Sequence, residues 1–227
     1  MKRVATGYEF LARILMMIVV VHIAGIVHTL LGLVAGGFFP SIAAGYCTYR
    51  TWIQGVEDRS WTVRHTWVVF HRSWKSELVS ANAFGYPQLA VGMLLVWEYW
   101  FVQANDLGGA GVALSGALVV ICCIYGLFML MSWAMRANFR EKPLWIVRTT
   151  LSLVVARPLC SLMVLLMFIL ISWGYYRWSG LMAAFGLSLP AFATMMSMYS
   201  WARIPGMDIH DIEPTKRDLE RRRHPRG

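Results

Sequence analysis

Histidine is the side chain in this sequence that most readily does chemistry, and four histidines stand in two pairs near the start of the chain. His22 and His28 form one pair, and His65 and His71 form the other. A separation of six residues places two side chains about 240° apart around an α-helix. Neither pair can ligate one metal ion from a single helix, so the sequence predicts no metal site and no cofactor.

Catalysis would need a constellation of reactive groups, and none is apparent in the sequence. The four cysteines, Cys47, Cys122, Cys123 and Cys160, all lie in apolar segments without Cys-x-x-Cys spacing. Cysteines in such segments usually pack in the core as small apolar side chains. We therefore expect no catalytic residue and do not expect an enzyme.

The elements that carry these residues are expected to be membrane helices. Hydrophobic residues make up 58% of the 227 residues and charged residues only 15%, whereas soluble domains have about 25% charged residues. Five runs have the roughly 20 residues needed to cross the hydrocarbon layer; they are 14–34, 78–102, 110–134, 158–176 and 181–202. A sixth run, 37–56, is less apolar. The predicted fold class is all-α, a polytopic transmembrane bundle with five strong spans and a weaker sixth, plus amphipathic cytoplasmic helices.

Basic residues between the spans indicate orientation, because cytoplasmic loops are rich in lysine and arginine. With six crossings, only Arg177 of the 21 lysines and arginines lies outside, and both ends are cytoplasmic. With five crossings, Lys2, Arg3 and Arg13 join it outside. We favour six and leave five open. The net charge of +9 therefore reflects topology, and we expect membrane lipids as partners and no nucleic acid.

Two domains are predicted: a transmembrane helical domain at 1–203 and a charged cytoplasmic tail at 204–227. The tail mixes acidic and basic residues. It is expected either to be solvated or to be attracted to anionic lipid.

The segment 61–75 predicts an amphipathic cytoplasmic helix. Trp67, Phe70 and Trp74 recur at helical spacing and share one face; Arg64, Arg72 and Lys75 are its basic residues. Aromatic residues with arginine dominate the energetics of protein interfaces. We predict that these six residues bind a partner, and the alternative is that the same face lies on the lipid headgroups.

Ionisable residues within a membrane are functional by default. Glu98, His22 and His28 are therefore predicted as an intramembrane polar site. The alternative for Glu98 is that its carboxylate reaches the interface, and for the histidines that they hydrogen-bond to neighbouring helices.

Several short stretches resemble the YesL-like family of bacterial membrane proteins, a family of unknown function. They are FFPSIAAGY at 38–46, FHRSWK at 70–75, RPL at 157–159 and LPAF at 189–192. The likeness covers about residues 8–203, and Trp74 stands where the family commonly has phenylalanine. The resemblance implies several spans in the bacterial cytoplasmic membrane and a genetic association with carbohydrate ABC importers. It carries over no catalytic residue.

Two functions follow as expectations. The first is an accessory membrane subunit that packs against another complex, such as the permease of a carbohydrate ABC importer. The second is a small solute transporter, acting alone or as a homodimer, with Glu98, His22, His28 and kinks at Pro87 and Pro190 along its path.

Overall fold

Helices form the whole regular structure of the part of the chain that is described. A computed structural model describes residues 2–55, 61–105, 107–202, 204 and 207, and for 2–9 it describes the helix alone. The regular elements in these ranges are all α-helices, which confirms the all-α prediction. They are α1 (Lys2–Leu31), α2 (Ala35–Gln54), α3 (Val63–Ala104), α4 (Gly108–Asn138), α5 (Pro143–Ala156), α6 (Pro158–Arg177), α7 (Ser179–Phe185) and α8 (Ser188–Trp201).

Four helices are long and apolar enough to cross a membrane: the Phe10–Leu31 part of α1, and α3, α4 and α6. A fifth is counted if α7 and α8, bent by 73° against each other, form one broken span. α2 has 20 residues but is not apolar enough to join them. The described helices are consistent with a multi-pass membrane protein, and the count of five strong spans plus a sixth is not supported.

The predicted cytoplasmic helix at 61–75 is not a separate element. α3 runs without a break for 42 residues, which is roughly 63 Å at 1.5 Å per residue. The Thr62 hydroxyl accepts a hydrogen bond from the His65 N–H at 3.2 Å and caps its start. No glycine or proline follows until Gly85, so nothing ends the helix between the amphipathic segment and the predicted span.

The turn between α1 and α2 depends on two glycines. A Cβ atom on Gly32 would lie 2.3 Å from the Cα of Gly37, so the chain passes too closely here for a side chain. Leu33 and Val34 have positive φ angles of 55° and 62°. α2 begins directly after this turn, at Ala35, two residues before the predicted run 37–56, and Pro40 is buried inside it.

The α1–α2 turn lies beside the middle of α3. The Asn82 side chain donates to the Gly36 carbonyl at 2.9 Å, and the Tyr86 hydroxyl donates to the Ala35 carbonyl at 2.8 Å. The six-crossing prediction requires this turn at the outer surface, level with the far end of the span 78–102. It lies instead beside the start of that span, and α3 and α4 extend beyond it.

α2 is the central helix of the bundle. Twelve of its residues are buried, and it contacts α1, α3, α4 and α8. Its buried hydroxyls are satisfied locally, since Ser41 and Thr48 donate to the carbonyls one turn back, each at 2.7 Å. Polar residues of this kind explain why α2 is less apolar than the helices around it.

The last predicted span, 181–202, is interrupted between α7 and α8. Gly186 has a φ of 42° and a ψ of −132°, a conformation that is essentially confined to glycine. A Cβ atom there would lie 2.1 Å from the His22 ring. Tight packing on α1 and glycine's backbone freedom together produce the bend.

The charged tail falls almost wholly outside the described residues. Ile204 packs against the core and Met207 is buried in it. The separate tail from 204 onward stays a prediction.

We predict that Gly186→Ala destabilises the protein by about 1–3 kcal/mol, because alanine at this backbone conformation is strained and its methyl group would overlap His22. The matched control is Gly180→Ala on α7, where an added Cβ meets nothing within 4 Å. Unfolding by SDS titration from mixed micelles measures both variants. Equal stability of the two would show that the bend does not depend on Gly186.

Candidate functional site

The break between α7 and α8 gathers polar side chains from three other helices. His22 of α1 donates to the Ala183 carbonyl at 3.1 Å. Tyr175 of α6 donates to the Gly186 carbonyl at 2.7 Å. The Tyr49 hydroxyl of α2 bonds to both the carbonyl and the hydroxyl of Ser188.

The bonds to the Ala183 and Gly186 carbonyls satisfy groups that the helix break leaves unpaired, because apolar surroundings offer no water to bond to. Ser188 lies in the first turn of α8, so the Tyr49 bonds attach that turn to α2. Ser188 extends the network, because its own hydroxyl donates to the Ile18 carbonyl of α1 at 2.9 Å. The hydroxyls of Tyr49 and Ser188 are buried with their residues. The break is therefore held by the chain itself and joins α1, α2, α6 and α8.

A cavity of about 670 Å³ adjoins this break. α1 and α2 form much of its wall, α4 contributes Met129, Leu130 and Trp133, and α8 contributes Pro190 and Ala191. Its lining is apolar apart from a few hydroxyl groups and His22. The arrangement suits an apolar ligand and offers little to a polar one.

His28 lies in a cluster of aromatic rings from α3. It is 1% exposed, and the ring centres of Trp67, Phe70, His71 and Trp74 lie 5.1–5.5 Å from its own. The sequence did not predict this cluster, because His71 was placed in a cytoplasmic loop away from the first span.

Both ring nitrogens of His28 are hydrogen-bonded. Its Nδ1 donates to the Ala24 carbonyl at 2.8 Å. Its Nε2 bonds to His71 Nδ1, also at 2.8 Å. A hydrogen bond between two histidine rings therefore joins α1 to α3.

The predicted partner-binding face is largely occupied within the chain. Trp67, Phe70 and Trp74 do share one face of α3, and that face packs on His28. Phe70 is 1% and Trp74 9% exposed, and Trp67 is half-buried. These side chains already pack against α1, so a partner would have to displace α1 to reach Phe70 or Trp74.

The three basic residues of the same segment, Arg64, Arg72 and Lys75, are exposed. They lie on the outer side of α3 and remain free to contact headgroups or a partner. Their role in partner binding stays a prediction.

The three members of the predicted intramembrane site are not brought together. His22 faces the α7–α8 break and His28 faces α3. Glu98 is half-buried on α3, 27 residues beyond His71, which is roughly 40 Å along the helix. A path that uses all three side chains at one place does not exist in the described structure.

A half-buried ion pair joins α3 to α4. Arg136 donates to the Glu77 carboxylate at 2.5 Å, and its guanidinium lies 5.6 Å from the ring centre of Phe84 and 5.7 Å from that of Trp133. Aromatic faces attract the guanidinium and shield the pair from its surroundings. Its position marks where the charged end of α4 meets α3.

The second concave surface is a groove of about 750 Å³ between α3 and α4. Gly92 and Gly126 lie in it with Tyr125, and Trp97 and Trp100 stand at one end. Tyr125 donates to the Gln88 carbonyl and holds the two helices together. The groove is apolar and faces outward.

Within the described residues, no group of three or more histidine, cysteine, aspartate or glutamate side chains lies close enough to hold a metal ion. The cysteines are unpaired thiols in that part of the chain. No residue set for a cofactor emerges from the geometry.

A family described as "Protein of unknown function, DUF624" matches residues 18–99. The matched segment holds the second half of α1, from Ile18, all of α2 and α3 as far as Tyr99, and it includes both histidines of the His28–His71 pair. No curated protein and no solved structure matches the chain. The match is to an uncharacterised domain and brings no activity with it.

Sequence reasoning missed Tyr49, Tyr175 and Ser188 as parts of the site. A signal was present, because Gly186 precedes Pro190 inside an apolar run, and glycine with a following proline marks helix breaks. The partners that satisfy the break lie 11 to 170 residues away, and no local pattern shows them.

We predict that His28→Phe destabilises the protein by about 1–3 kcal/mol, because it leaves the half-buried His71 ring nitrogen without its hydrogen-bond partner. His71→Phe should have a similar effect. The double variant should lose less than the sum, since both partners are then apolar. SDS titration measures the free energy of unfolding of the wild type, the two single variants and the double variant. The control is His65→Phe, since His65 is exposed. Additive losses in the double variant would contradict the hydrogen bond.

Proposed function

We propose that this protein is an accessory integral membrane protein that associates with another membrane complex. The supporting observation is the outer half of the α3–α4 hairpin, from Leu89 to Gly126. Among the described residues of this stretch, only Val102 and Leu118 are buried. No other helix of the described chain covers it, so a large apolar surface is open to lipid or to a partner.

The groove between α3 and α4 is the part of this surface that suits a transmembrane helix. Small residues allow helix backbones to approach closely in a membrane, and Gly92 and Gly126 provide such a place. Trp97 is 56% and Trp100 64% exposed, and exposed tryptophans are frequent anchors at protein interfaces. The occupant we propose is one transmembrane helix of a partner subunit.

The identity of the complex rests on the resemblance to the YesL-like family. That family is associated with carbohydrate ABC importers, so the permease subunit of such an importer is the partner we propose. The exposed basic residues Arg64, Arg72 and Lys75 would then face its cytoplasmic parts or the headgroups beside them.

A small solute transporter, acting alone or as a homodimer, is the second candidate. The observation that favours it is the broken α7–α8 span beside a cavity, since transporters bind substrates at interrupted helices. The polar groups of this break are already hydrogen-bonded within the chain. Glu98 lies far from the cavity, so a polar solute would find few binding groups there.

We predict that Gly126→Leu prevents the partner helix from seating. An added Cβ at Gly126 meets nothing within 4 Å in the free protein, so the chain should fold normally. Overpacking an interface costs about 1–3 kcal/mol, and recovery of the complex should fall by about tenfold or more. Purification from native membranes in mild detergent measures it.

Gly116→Leu on the same helix is the matched control, because Gly116 is also open but lies outside the groove. Importer subunits recovered with wild type and Gly116→Leu, and lost with Gly126→Leu, support the proposal. Wild-type recovery with Gly126→Leu would place the partner surface elsewhere. Solute uptake into liposomes by the purified protein alone would favour the transporter.

The orientation we propose has both ends in the cytoplasm, on the distribution of basic residues. Single cysteines at Thr6 and Thr215, in a variant without native cysteines, should both resist an impermeant thiol reagent in intact cells. Labelling at Thr6 alone would place the amino terminus outside.

A further inference from the structure

We propose that the cavity beside the α7–α8 break binds a hydrocarbon chain of a membrane lipid. The cavity lies between α1, α2, α4 and α8 and has a volume of about 670 Å³. An apolar cavity of about 150 Å³ in a soluble protein stays dry and takes up benzene. The cavity of this protein is far larger, and acyl chains of the bilayer surround the helix bundle that holds it.

Most of the polar side chains on the cavity wall are already hydrogen-bonded within the chain. Ser41 donates to the Gly37 carbonyl at 2.7 Å, and Tyr46 donates to the Leu130 carbonyl at 3.1 Å. His22, Tyr49 and Ser188 bond within the network of the break. A sugar or an ion needs several free donors or acceptors, and a buried water needs two to four, so these ligands are disfavoured.

The opening of the cavity faces lipid. The lining residues that are exposed are all apolar, and they include Ile26, Leu30 and Val34 on α1, Phe168 on α6 and Leu187 before α8. These residues place the opening on the side of the bundle where α1 and α6 are exposed. A chain of the surrounding bilayer can enter there without crossing a polar surface.

Two glycines allow the cavity to be filled without a clash. Gly25 of α1 lines it, and an added Cβ there meets nothing within 4 Å; at Gly45 of α2 the nearest atom is a Val21 methyl at 3.6 Å. Leucine at either position therefore projects into the space that the acyl chain would take. Gly116→Leu, on the outer part of α4, adds the same side chain away from the cavity.

The test uses the full-length protein in vesicles of phosphatidylethanolamine and phosphatidylglycerol, with a trace of phospholipid that carries a diazirine on one acyl chain. After illumination, mass spectrometry maps the labelled residues. In the wild type we expect adducts on cavity residues such as Ile42 and Met129. Labelling there should fall by about tenfold in Gly25→Leu and in Gly45→Leu, and it should be unchanged in Gly116→Leu.

Adducts confined to outward-facing residues of the wild type would overturn the proposal, whether or not the variants fold. Cavity labelling that persists at the wild-type level in folded Gly25→Leu would also overturn it. Because Gly126→Leu tests the groove and Gly25→Leu tests the cavity, loss of the partner complex and loss of bound lipid can be told apart.

Discussion

A helix that breaks inside an apolar bundle must have its free carbonyl groups satisfied by the protein, because lipid offers no hydrogen bond. The α7–α8 break of this protein meets that constraint with His22 and Tyr175, which donate to the Ala183 and Gly186 carbonyls. Tyr49 and the Ser188 hydroxyl attach the first turn of α8 to α2 and α1. These few bonds join α1, α2 and α6 to the two sides of the break.

The same constraint shapes what the site can do. The polar groups at the break are hydrogen-bonded within the chain, so the surface beside them is apolar. The cavity between α1, α2, α4 and α8 is therefore lined mainly by apolar side chains. A carrier of sugars would need the opposite arrangement, with free polar groups facing the cavity. The wall of this cavity therefore offers few free polar groups to a polar solute.

Much of the helical architecture was predictable from the sequence, because hydrophobic runs report where membrane helices lie. The runs 110–134 and 158–176 correspond closely to α4 and α6. The continuity of α3 was missed, since charged residues before Leu78 indicate a surface segment whether or not the helix continues through them. Its aromatic face was correctly expected on Trp67, Phe70 and Trp74. Periodicity shows that a face exists but not which neighbour covers it, and here α1 covers it with His28.

The break was harder to predict than the spans, because it depends on a tight contact between Gly186 and a ring 164 positions earlier in the sequence. The measurement that tests the account most directly is the solvent accessibility of the cavity. A nitroxide at Ile42, in a variant without native cysteines, reports collisions with oxygen and with a water-soluble nickel chelate. The account predicts high oxygen and low nickel accessibility, as at the lipid-facing Val119. Nickel accessibility at Ile42 equal to that at the exposed Arg64 would show a water-filled cavity and contradict it.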